Sequence, residues 1–432
     1  MKHVIFVDST VSGLLAFQAA KRMGCYVTFI RQKDASFLTI SIGNDESKLK
    51  PHLEFVDQFL EVESLDGEEF HDLLVRLNEK RPIDALLSTS EAGIVPVARE
   101  AEHFNLRYPS LSALNNAVQK NQLRETLKKN GIRSPEYQVL SEEQLVSGVT
   151  PHIELPFVVK PTRGFAKQFS AICYTSEDFE SFIKTLREGR AESDRMIDTL
   201  VSRDYLVEEY IDGSLHSAEV IVQNGIVQVY ATTVRFRSVY SEMLEMTATM
   251  PSGLNADERN EIKEYVQSIF SALKLDVGLY HVELLRDEKG PCLVEINARM
   301  MGSVAPQMYR MITDIDPFEL LIRLHLDEPI SINDSVLTRA GTVVTIASRH
   351  GGAISSDYNQ ARFEKLLKSY NIDFCSAWVK PGQKVNVYTG NIGTIGHVIV
   401  LGDDPYEVAR KGHRFLCELD EIYGLELAKY FE

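Results

Sequence analysis

The chain has 432 residues, of which 44% are hydrophobic and 25% are charged, and its formal net charge is −16. This length predicts two to four domains, and this composition is typical of a globular protein. An acidic chain without a basic stripe repels phosphate backbones, which excludes a general nucleic-acid-binding role and limits any phosphate-bearing ligand to a small molecule.

The first 112 residues alternate apolar runs with segments of helical periodicity. HVIFVD, a helical pattern around residues 14–20 and CYVTFI predict a strand, a helix and a strand. The further predicted elements are strands at 59–62 and 85–88 and helices at 67–78 and 92–104. This alternation predicts a doubly wound parallel sheet. The first turn, DSTVSGL, lacks the GxGxxG pattern of dinucleotide-binding folds, which favours a scaffold role here.

A second region extends over residues 113–326 and mixes helices with β-hairpins. Its predicted elements are a helix from Asn115 to Gly131, the strand LPFVVKP, a helix capped by Ser176, a hairpin turning at Asn224-Gly225, a helix at 256–273 and the hairpin GLYHVELLRDEKGPCLVEINAR. Residues 185–204 are polar and charged, and we expect them to form a mobile excursion. Beyond residue 327, runs such as TVVTIAS and TIGHVIV, with helices near 361–369 and 404–421, predict a small α+β domain.

The cysteines and the N-terminus bear on localisation. The five cysteines contain no CxxC pair, which indicates reduced thiols. The apolar run at the N-terminus has only four residues before an aspartate, and no apolar span approaches 18 residues. We therefore expect a soluble, cytoplasmic protein that does not associate with membranes.

The last hairpin of the second region carries an acidic face. Its turn, RDEKGP, places Glu283 roughly opposite Glu295, and Asn297 and Arg299 continue the same face. Two facing carboxylates repel, so a positive charge should lie between them. Magnesium fits because it prefers oxygen ligands and keeps substrate phosphates in its shell, and Arg299 would reach an anion beyond it. The alternative, a solvated edge hairpin, is disfavoured by the apolar neighbours LVEIN and GLYHVELL.

These residues resemble the metal site of the ATP-grasp superfamily. The pattern GxxHxE followed by ExNxRxxG is formed here by Gly278, His281, Glu283, Glu295, Asn297, Arg299 and Gly302. Lys120 in AVQKNQL and Lys160 in PFVVKP resemble the two nucleotide-binding lysines, and VEEYIDG resembles the hinge whose backbone holds adenine. The domain order agrees as well: an α/β domain over 1–112, an ATP-grasp domain over 113–326 whose lobes meet near residue 207, and a C-terminal α+β domain over 327–432.

The resemblance implies a role for each matching residue. The implied metal ligands are Glu283, Glu295 and Asn297; the implied ATP contacts are Lys120, Lys160 and the backbone of Glu208, Glu209, Tyr210 and Ile211; the implied catalytic residues are Arg299 and Gly302; and the implied substrate contacts are Glu219, Glu245, Arg299 and Ser303. Two positions depart from the pattern. Leu215 stands where relatives bind ribose with a glutamate, so His216 or Glu219 is expected to replace it. The loop after Lys160 has few glycines, and Arg163 or Lys167 is expected to supply charge to the phosphates.

Within the superfamily, the chain is most similar to ligases that join two L-amino acids, or an N-acylated amino acid and another amino acid. The similarity lies in the run GSLHSAE, in ARMMGS and in an ExxHxxP-like segment of Glu245 and Pro251, in which Ala248 replaces the expected histidine. It implies an ATP-dependent carboxylate-amine ligase with Mg²⁺ or Mn²⁺ as cofactor. The expected product is an amide or peptide bond, made through an acyl phosphate with release of ADP and phosphate.

Two other functions stay open at this point. One is a carboxylase-type enzyme that activates bicarbonate for biotin or a nucleotide amine, and the other is a catalytically silent nucleotide-binding protein. The expected partners are a small carboxylate and a small amine, and the superfamily also contains many homodimers.

Overall fold

The computed structural model describes residues 1–33, 38, 45–164, 167–191, 201–330, 332, 337, 339–390 and 393–432. This part of the chain contains two four-stranded sheets, one eight-stranded sheet and two short two-stranded sheets. None of its helices is both long and apolar enough to cross a membrane.

The N-terminal region is a doubly wound parallel sheet, as predicted. Its strands are β1 (His3–Val7), β2 (Tyr26–Gln32), β3 (Gln58–Val62) and β4 (Ala85–Leu87), in the order β3-β2-β1-β4. Its α-helices are α1 (Leu15–Arg22), α2 (Lys50–Leu53), α3 (Glu68–Lys80) and α4 (Glu91–His103), and two 3₁₀ turns lie at Ser12–Leu14 and Glu46–Lys48. Every residue of β1 is buried, because helices cover both faces of a parallel sheet.

The prediction of one continuous helix from Asn115 to Gly131 is wrong. Two helices, α5 (Leu111–Val118) and α6 (Lys120–Lys129), meet at Gln119, whose backbone is extended at φ −83° and ψ 103°. The Lys120 amide leaves the helical pattern and donates to the Thr162 carbonyl at 2.9 Å. The break makes Lys120 the first residue of α6 and ties it to the loop after the strand that carries Lys160.

The small lobe is built on an antiparallel sheet of order β5-β8-β6-β7. Its strands are β5 (Tyr137–Ser141), β6 (Phe157–Pro161), β7 (Ala171–Cys173) and β8 (Asp204–Glu209), and its helices are α7 (Glu142–Val146) and α8 (Ser176–Ala191). Phe182 and Leu186 of α8 pack into the same core as Val159 and Tyr205 of the sheet. The mobile excursion predicted at 185–204 lies partly outside the described residues, and its first seven residues belong to α8.

The eight-stranded sheet joins the large lobe to the C-terminal region. Its order is β15-β14-β9-β10-β13-β16-β20-β18. Its strands are β9 (Ser214–Gln223), β10 (Ile226–Arg235), β13 (Thr247–Met250), β14 (Gly278–Asp287), β15 (Gly290–Asn297), β16 (Ala340–Ala347), β18 (Phe374–Cys375) and β20 (Thr394–Gly402). The predicted turn between β9 and β10 is confirmed: Asn224 and Gly225 both have positive φ, at 55° and 76°, as a tight two-residue hairpin requires.

The remaining elements cover this sheet. The helices are α9 (Ala256–Leu273), α10 (Ala305–Thr313), α11 (Pro317–His325), α12 (Gln360–Ser369) and α13 (Pro405–Tyr423), and the short strands are β11 (Arg237–Ser238), β12 (Ser241–Glu245), β17 (Gly352–Ala353) and β19 (Lys384–Val385). The bounds of α9 are those predicted from the sequence. Because β13 pairs with β16, the sheet continues without interruption from the large lobe into the C-terminal region.

The two faces of the large-lobe end of this sheet differ in chemistry. Ala218, Val220, Val282 and Leu284 lie on one face and pack against buried side chains of α9 such as Ile262. Because side chains alternate along a strand, the residues between them point to the opposite face. That opposite face carries the acidic residues predicted to form the site.

Candidate active site

The hairpin of β14 and β15 brings its acidic residues together as predicted. Glu283 pairs directly with Glu295, and His281 pairs with Asn297. The Asn297 side-chain amide also donates to Glu295 Oε1 at 3.3 Å. The register of the two strands shifts directly after this pair, between Glu283 and Leu284. The predicted opposition of Glu283 and Glu295 is confirmed.

A lysine from another part of the chain neutralises this acidic face. Lys120 Nζ lies 3.1 Å from Glu295 Oε2; the Lys120 side chain is largely buried and that of Glu295 is partly exposed. Burial alone would raise the pKa of Glu295, but the charges of Lys120 and Lys160 outweigh it and hold that pKa below its usual range. The positive charge expected beside the paired carboxylates is therefore supplied in part by the protein itself.

The second predicted lysine belongs to a buried cluster of three charges. Lys160 Nζ lies 2.7 Å from Glu208 Oε2, and Arg124 Nε lies 2.7 Å from Glu208 Oε1. Arg124 also donates to the Val294 carbonyl at 2.9 Å. Burial would raise the pKa of Glu208, but Arg124 and Lys160 lower it to about 2. Sequence analysis missed Arg124, although it lies four residues after Lys120 and so on the same face of a helix.

The hinge segment follows β8 between the two lobes. Its Glu209 amide donates to the Glu136 carbonyl at 2.9 Å, and the Tyr210 amide donates to the Pro156 carbonyl at 3.4 Å. Among the described residues, none accepts a hydrogen bond from the Ile211 amide. This amide is therefore one hinge donor that is left for a ligand, and its contact with adenine stays a prediction.

A buried chain of polar side chains continues the acidic face into the sheet. Glu219 Oε1 lies 2.8 Å from His281 Nδ1. His281 Nε2 lies 3.3 Å from Glu283 Oε1 and 3.0 Å from a guanidinium nitrogen of Arg235. Burial lowers the pKa of His281, but the Glu219 charge outweighs it and raises the pKa to about 9. Arg235, near the end of β10, is a second residue that sequence analysis missed.

Glu245 binds two cations. Its Oε1 contacts Lys167 and its Oε2 contacts Arg235. Burial would raise the pKa of Glu245, but these two cations outweigh it and hold that pKa well below the usual range. The Glu245 carbonyl accepts a hydrogen bond from the Tyr388 hydroxyl at 2.8 Å, which fixes the strand to the C-terminal region. Lys167, predicted as a phosphate contact, is therefore bound to a predicted substrate residue.

Arg299 reaches across to the N-terminal domain. Its Nε donates to Glu91 Oε1 at 2.8 Å, a second guanidinium nitrogen contacts the same oxygen, and Nη1 donates to the Met300 carbonyl at 3.0 Å. Burial would lower the pKa of Arg299, but Glu91 raises it, so the guanidinium stays charged. Glu91, the first residue of α4, was also missed, because nothing in its local pattern points to a residue 208 positions away.

The loop after Arg299 touches the C-terminal region. Ser303 has a positive φ of 54°, and its hydroxyl lies 3.1 Å from His397 Nε2. A Cβ added to Gly302 would come no closer than 3.4 Å to any described atom outside the neighbouring residues. The described atoms around residue 302 therefore leave room for a side chain and do not require a glycine there. The catalytic role of Gly302 stays a prediction.

His216 does not join the site, and its predicted contact with ribose is therefore withdrawn. It pairs with Leu284, and strand alternation places both on the face that packs against α9. Its Nε2 bonds the Ser214 hydroxyl at 2.9 Å, and burial lowers its pKa to about 4. Glu219 lies on the acidic face, but His281 already occupies one of its oxygens.

A cavity opens beside these residues, at the free edge of β15. Its polar lining consists of Glu91, Lys120, Arg163, Glu295 and Asn297. This lining joins three parts of the chain: the N-terminal domain, the small lobe and the acidic hairpin. A ligand in this cavity would contact both acidic and basic groups.

The donor set of the hairpin suits magnesium. Glu283 and Glu295 offer carboxylate oxygens, and Asn297 offers an amide oxygen while its nitrogen bonds Glu295. In the described ranges, no three or more His, Cys, Asp or Glu side chains are grouped so as to hold a metal. A metal here would take few protein ligands and complete its shell with water and phosphate oxygens, which is how magnesium usually binds. The residues present fit that ion.

Comparisons with protein families and curated proteins agree with this architecture. The model of the ATP-grasp domain matches residues 153–307, and that of the ATP-grasp N-terminal domain matches residues 17–107. An uncharacterized protein, y4rH, of Sinorhizobium fredii is 24% identical over 76% of this chain and 65% of its own length. Alanine--anticapsin ligase of Bacillus subtilis is 22% identical over 59% of this chain and 56% of its own length. The chain thus spans about three fifths of these relatives.

Solved structures share the fold over nearly the whole chain. An L-amino acid ligase from Bacillus licheniformis superposes with a TM-score of 0.78 at 21% identity and covers 100% of this chain and 99% of its own. A biotin carboxylase from Campylobacter jejuni superposes with a TM-score of 0.66 at 15% identity and covers 99% of this chain and 92% of its own. At these identities the likeness establishes the fold. Together with the acidic hairpin, the two lysines and both family models, it shows that the chain belongs to the ATP-grasp superfamily.

Proposed function

We propose that this chain is an ADP-forming carboxylate-amine ligase that uses ATP and Mg²⁺. The observation that carries the proposal is the pairing of the Glu283 and Glu295 carboxylates beside Lys120 of α6, with Lys160 of the small lobe close enough to lower the pKa of Glu295 as well. Opposite charges at the junction of two lobes suit a polyphosphate and its divalent ion.

Each part of ATP has a candidate partner in this arrangement. The Ile211 amide, which has no acceptor among the described residues, is a candidate donor for adenine. Lys160 and Lys120 are point charges for the phosphates, and each would exchange its present carboxylate partner for a phosphate oxygen. Glu283, Glu295 and Asn297 would hold Mg²⁺, which neutralises charge on the phosphoryl oxygens when bound.

The reaction proceeds in two steps. A carboxylate oxygen of the acid substrate bonds to the γ-phosphorus while the bond to ADP breaks, giving an acyl phosphate. The amine then bonds to the acyl carbon, and inorganic phosphate leaves with the electrons of the C–O bond. Arg299 is charged and forked, so it would orient the substrate anion and the acyl phosphate once they replace Glu91 as its partner.

We propose different roles for the two glutamates predicted to touch substrate. Glu245 would face a substrate ammonium group, since its carboxylate already binds a primary ammonium in this structure. Glu219 is almost fully buried and is hydrogen-bonded to His281, so it would act as a positioning residue for His281 and, through it, for Glu283.

A phosphate-release screen tests the proposal. The protein is incubated with ATP and Mg²⁺ and with pairs of amino acids and small acids, and the products are identified by mass. We expect release of ADP and phosphate together with a product whose mass equals the two substrates minus water. ATP hydrolysis that depends on bicarbonate alone would support the carboxylase alternative, and no hydrolysis with any pair would support a silent nucleotide-binding protein.

A further inference from the structure

The contacts of Lys167 define a site for a primary ammonium group. Lys167 Nζ donates to the Met243 carbonyl at 2.7 Å and contacts Glu245 Oε1. A carboxylate together with a backbone carbonyl is the set of acceptors that an ammonium group with three donors requires. Lys167 belongs to the loop between β6 and β7, whereas Met243 and Glu245 belong to β12, so the contact joins the two lobes.

The carboxylate of Glu245 has no room for a third cation. Lys167 occupies Oε1, and Arg235 occupies Oε2. Adding the ammonium of a substrate would bring a third positive charge to this carboxylate, which is unfavourable because Glu219 and Glu283, the other carboxylates that attract Arg235, already contact His281. One of the two resident cations must therefore leave when such a substrate binds.

Lys167 is the cation that can leave. Its side chain is 33% exposed, and lysine is a compact charge on a flexible stem. Arg235 is only 15% exposed, and the carboxylates of Glu283 and Glu219 attract it as well as Glu245. Replacing Lys167 by a substrate ammonium would keep the charge balance of Glu245 and leave the contact of Arg235 intact.

A displaced Lys167 has a second destination nearby. Gly164, three residues earlier in the same loop, lines the cavity that also contains Lys120 and Glu295. Three residues span at most about 10 Å, and a lysine side chain adds several more. Lys167 therefore starts close to the cavity in which Lys120 would hold the phosphates.

We propose that Lys167 occupies the site of the substrate's amino group, and that an acid substrate with a free primary ammonium displaces it from Glu245 toward the phosphates of ATP. This inference rests on the proposed function and specifies its acid substrate as an unblocked amino acid rather than an N-acyl one. It also makes the binding of amino acid and ATP cooperative, because each favours the same position of Lys167.

A double-mutant cycle tests the exchange without any amino acid. The dissociation constants of ATP and AMP, with Mg²⁺, are measured for the wild type, Lys167→Met, Glu245→Gln and the double variant. We expect Glu245→Gln to bind ATP roughly tenfold more tightly, because Lys167 is released, and the double variant to lose that gain. AMP, which lacks the β- and γ-phosphates, should bind all four proteins alike. Equal ATP affinities of Glu245→Gln and the double variant would overturn the proposal.

A second measurement tests the ammonium group. ATP affinity is compared with and without a mixture of the twenty L-amino acids, and with the same mixture after N-acetylation. We expect the free mixture to raise the ATP affinity of the wild type by roughly tenfold and that of Lys167→Met not at all. Lys129→Met, which removes an exposed lysine on α6, is the matched control and should behave like the wild type.

The outcomes separate this inference from the proposed function. Equal effects of the free and acetylated mixtures, an unchanged effect in Lys167→Met, or no effect of the free mixture on the wild type would each overturn the inference. Product formation in the phosphate-release screen tests ligase activity independently. If the protein shows the cooperative binding but forms no product, the Lys167 exchange stands and the ligase assignment fails.

Discussion

The buried cluster around Glu208 makes a quantitative prediction about the small lobe. Glu208→Gln removes the only negative charge in the described structure that contacts both Arg124 and Lys160. Arg124 is completely buried, so water cannot replace the lost partner. Breaking a buried ion pair by removing one charge typically costs about 3 to 5 kcal/mol, because the remaining charge is left uncompensated.

The pKa of Glu208 leads to a similar magnitude. Folding lowers it from 4.5 to about 2, which corresponds to about 3 kcal/mol of stability at neutral pH. The sign follows from the direction of the change: the contribution is fully present above pH 4.5 and is lost as the pH falls through 2. We therefore expect Glu208→Gln to destabilise the packing of β8 against α6 by about 3 kcal/mol at pH 7.

Hydrogen exchange measured by mass spectrometry is the suitable assay, because a multidomain protein has no single free energy of unfolding. A loss of about 3 kcal/mol corresponds to roughly hundredfold faster exchange in peptides of β8 and α6. Glu209→Gln, which alters the exposed neighbour, is the control and should change the local stability by less than about 0.5 kcal/mol. Exchange that accelerates equally in both variants, or hardly at all in Glu208→Gln, would refute the reasoning.

Three further predictions concern the acidic face and its surroundings. Glu295→Gln should leave the fold intact and lower ADP release by about a hundredfold or more, since a ligand of the phosphate-bearing metal is lost; ADP release close to the wild-type rate would contradict the metal assignment. His216→Asn should leave the KM for ATP unchanged, because the ring faces α9, and a large increase in KM would restore His216 as a ribose contact. Glu219→Gln should lower the pKa of His281 from about 9, measured by NMR of labelled histidine, and an unchanged pKa would show that another group sustains the charge. In the wild type, the stability that this pair contributes is present below pH 6.5 and is lost as the pH rises through 9.

The sequence predicted those features whose cause is local. The facing of Glu283 and Glu295 follows from strand periodicity and a short turn, and the turn at Asn224-Gly225 follows from the positive φ that these residues tolerate. The break before Lys120 was not predictable in this way. Residues 115–131 have an amphipathic pattern throughout, and the interruption at Gln119 accompanies a hydrogen bond to the distant Thr162 carbonyl.

The partners of the predicted charges were equally beyond local analysis. Arg299 contacts Glu91, and Lys167 contacts Glu245, through folding of separate segments onto one another. His216 shows the converse error: it lies next to residues of the acidic face in sequence, but alternation along β9 turns it to the opposite side.

The sequence by itself determined the ATP-grasp character of this protein, because spacing along strands and helices decides which side chains share a face. Only the tertiary structure decided which opposite charges meet, since Lys120 and Glu295, or Arg124 and Glu208, are brought together by the packing of segments that are distant in the chain. The physical reason is that the energy of a charge depends on distance and burial in three dimensions, and neither quantity is encoded in residue spacing across distant segments.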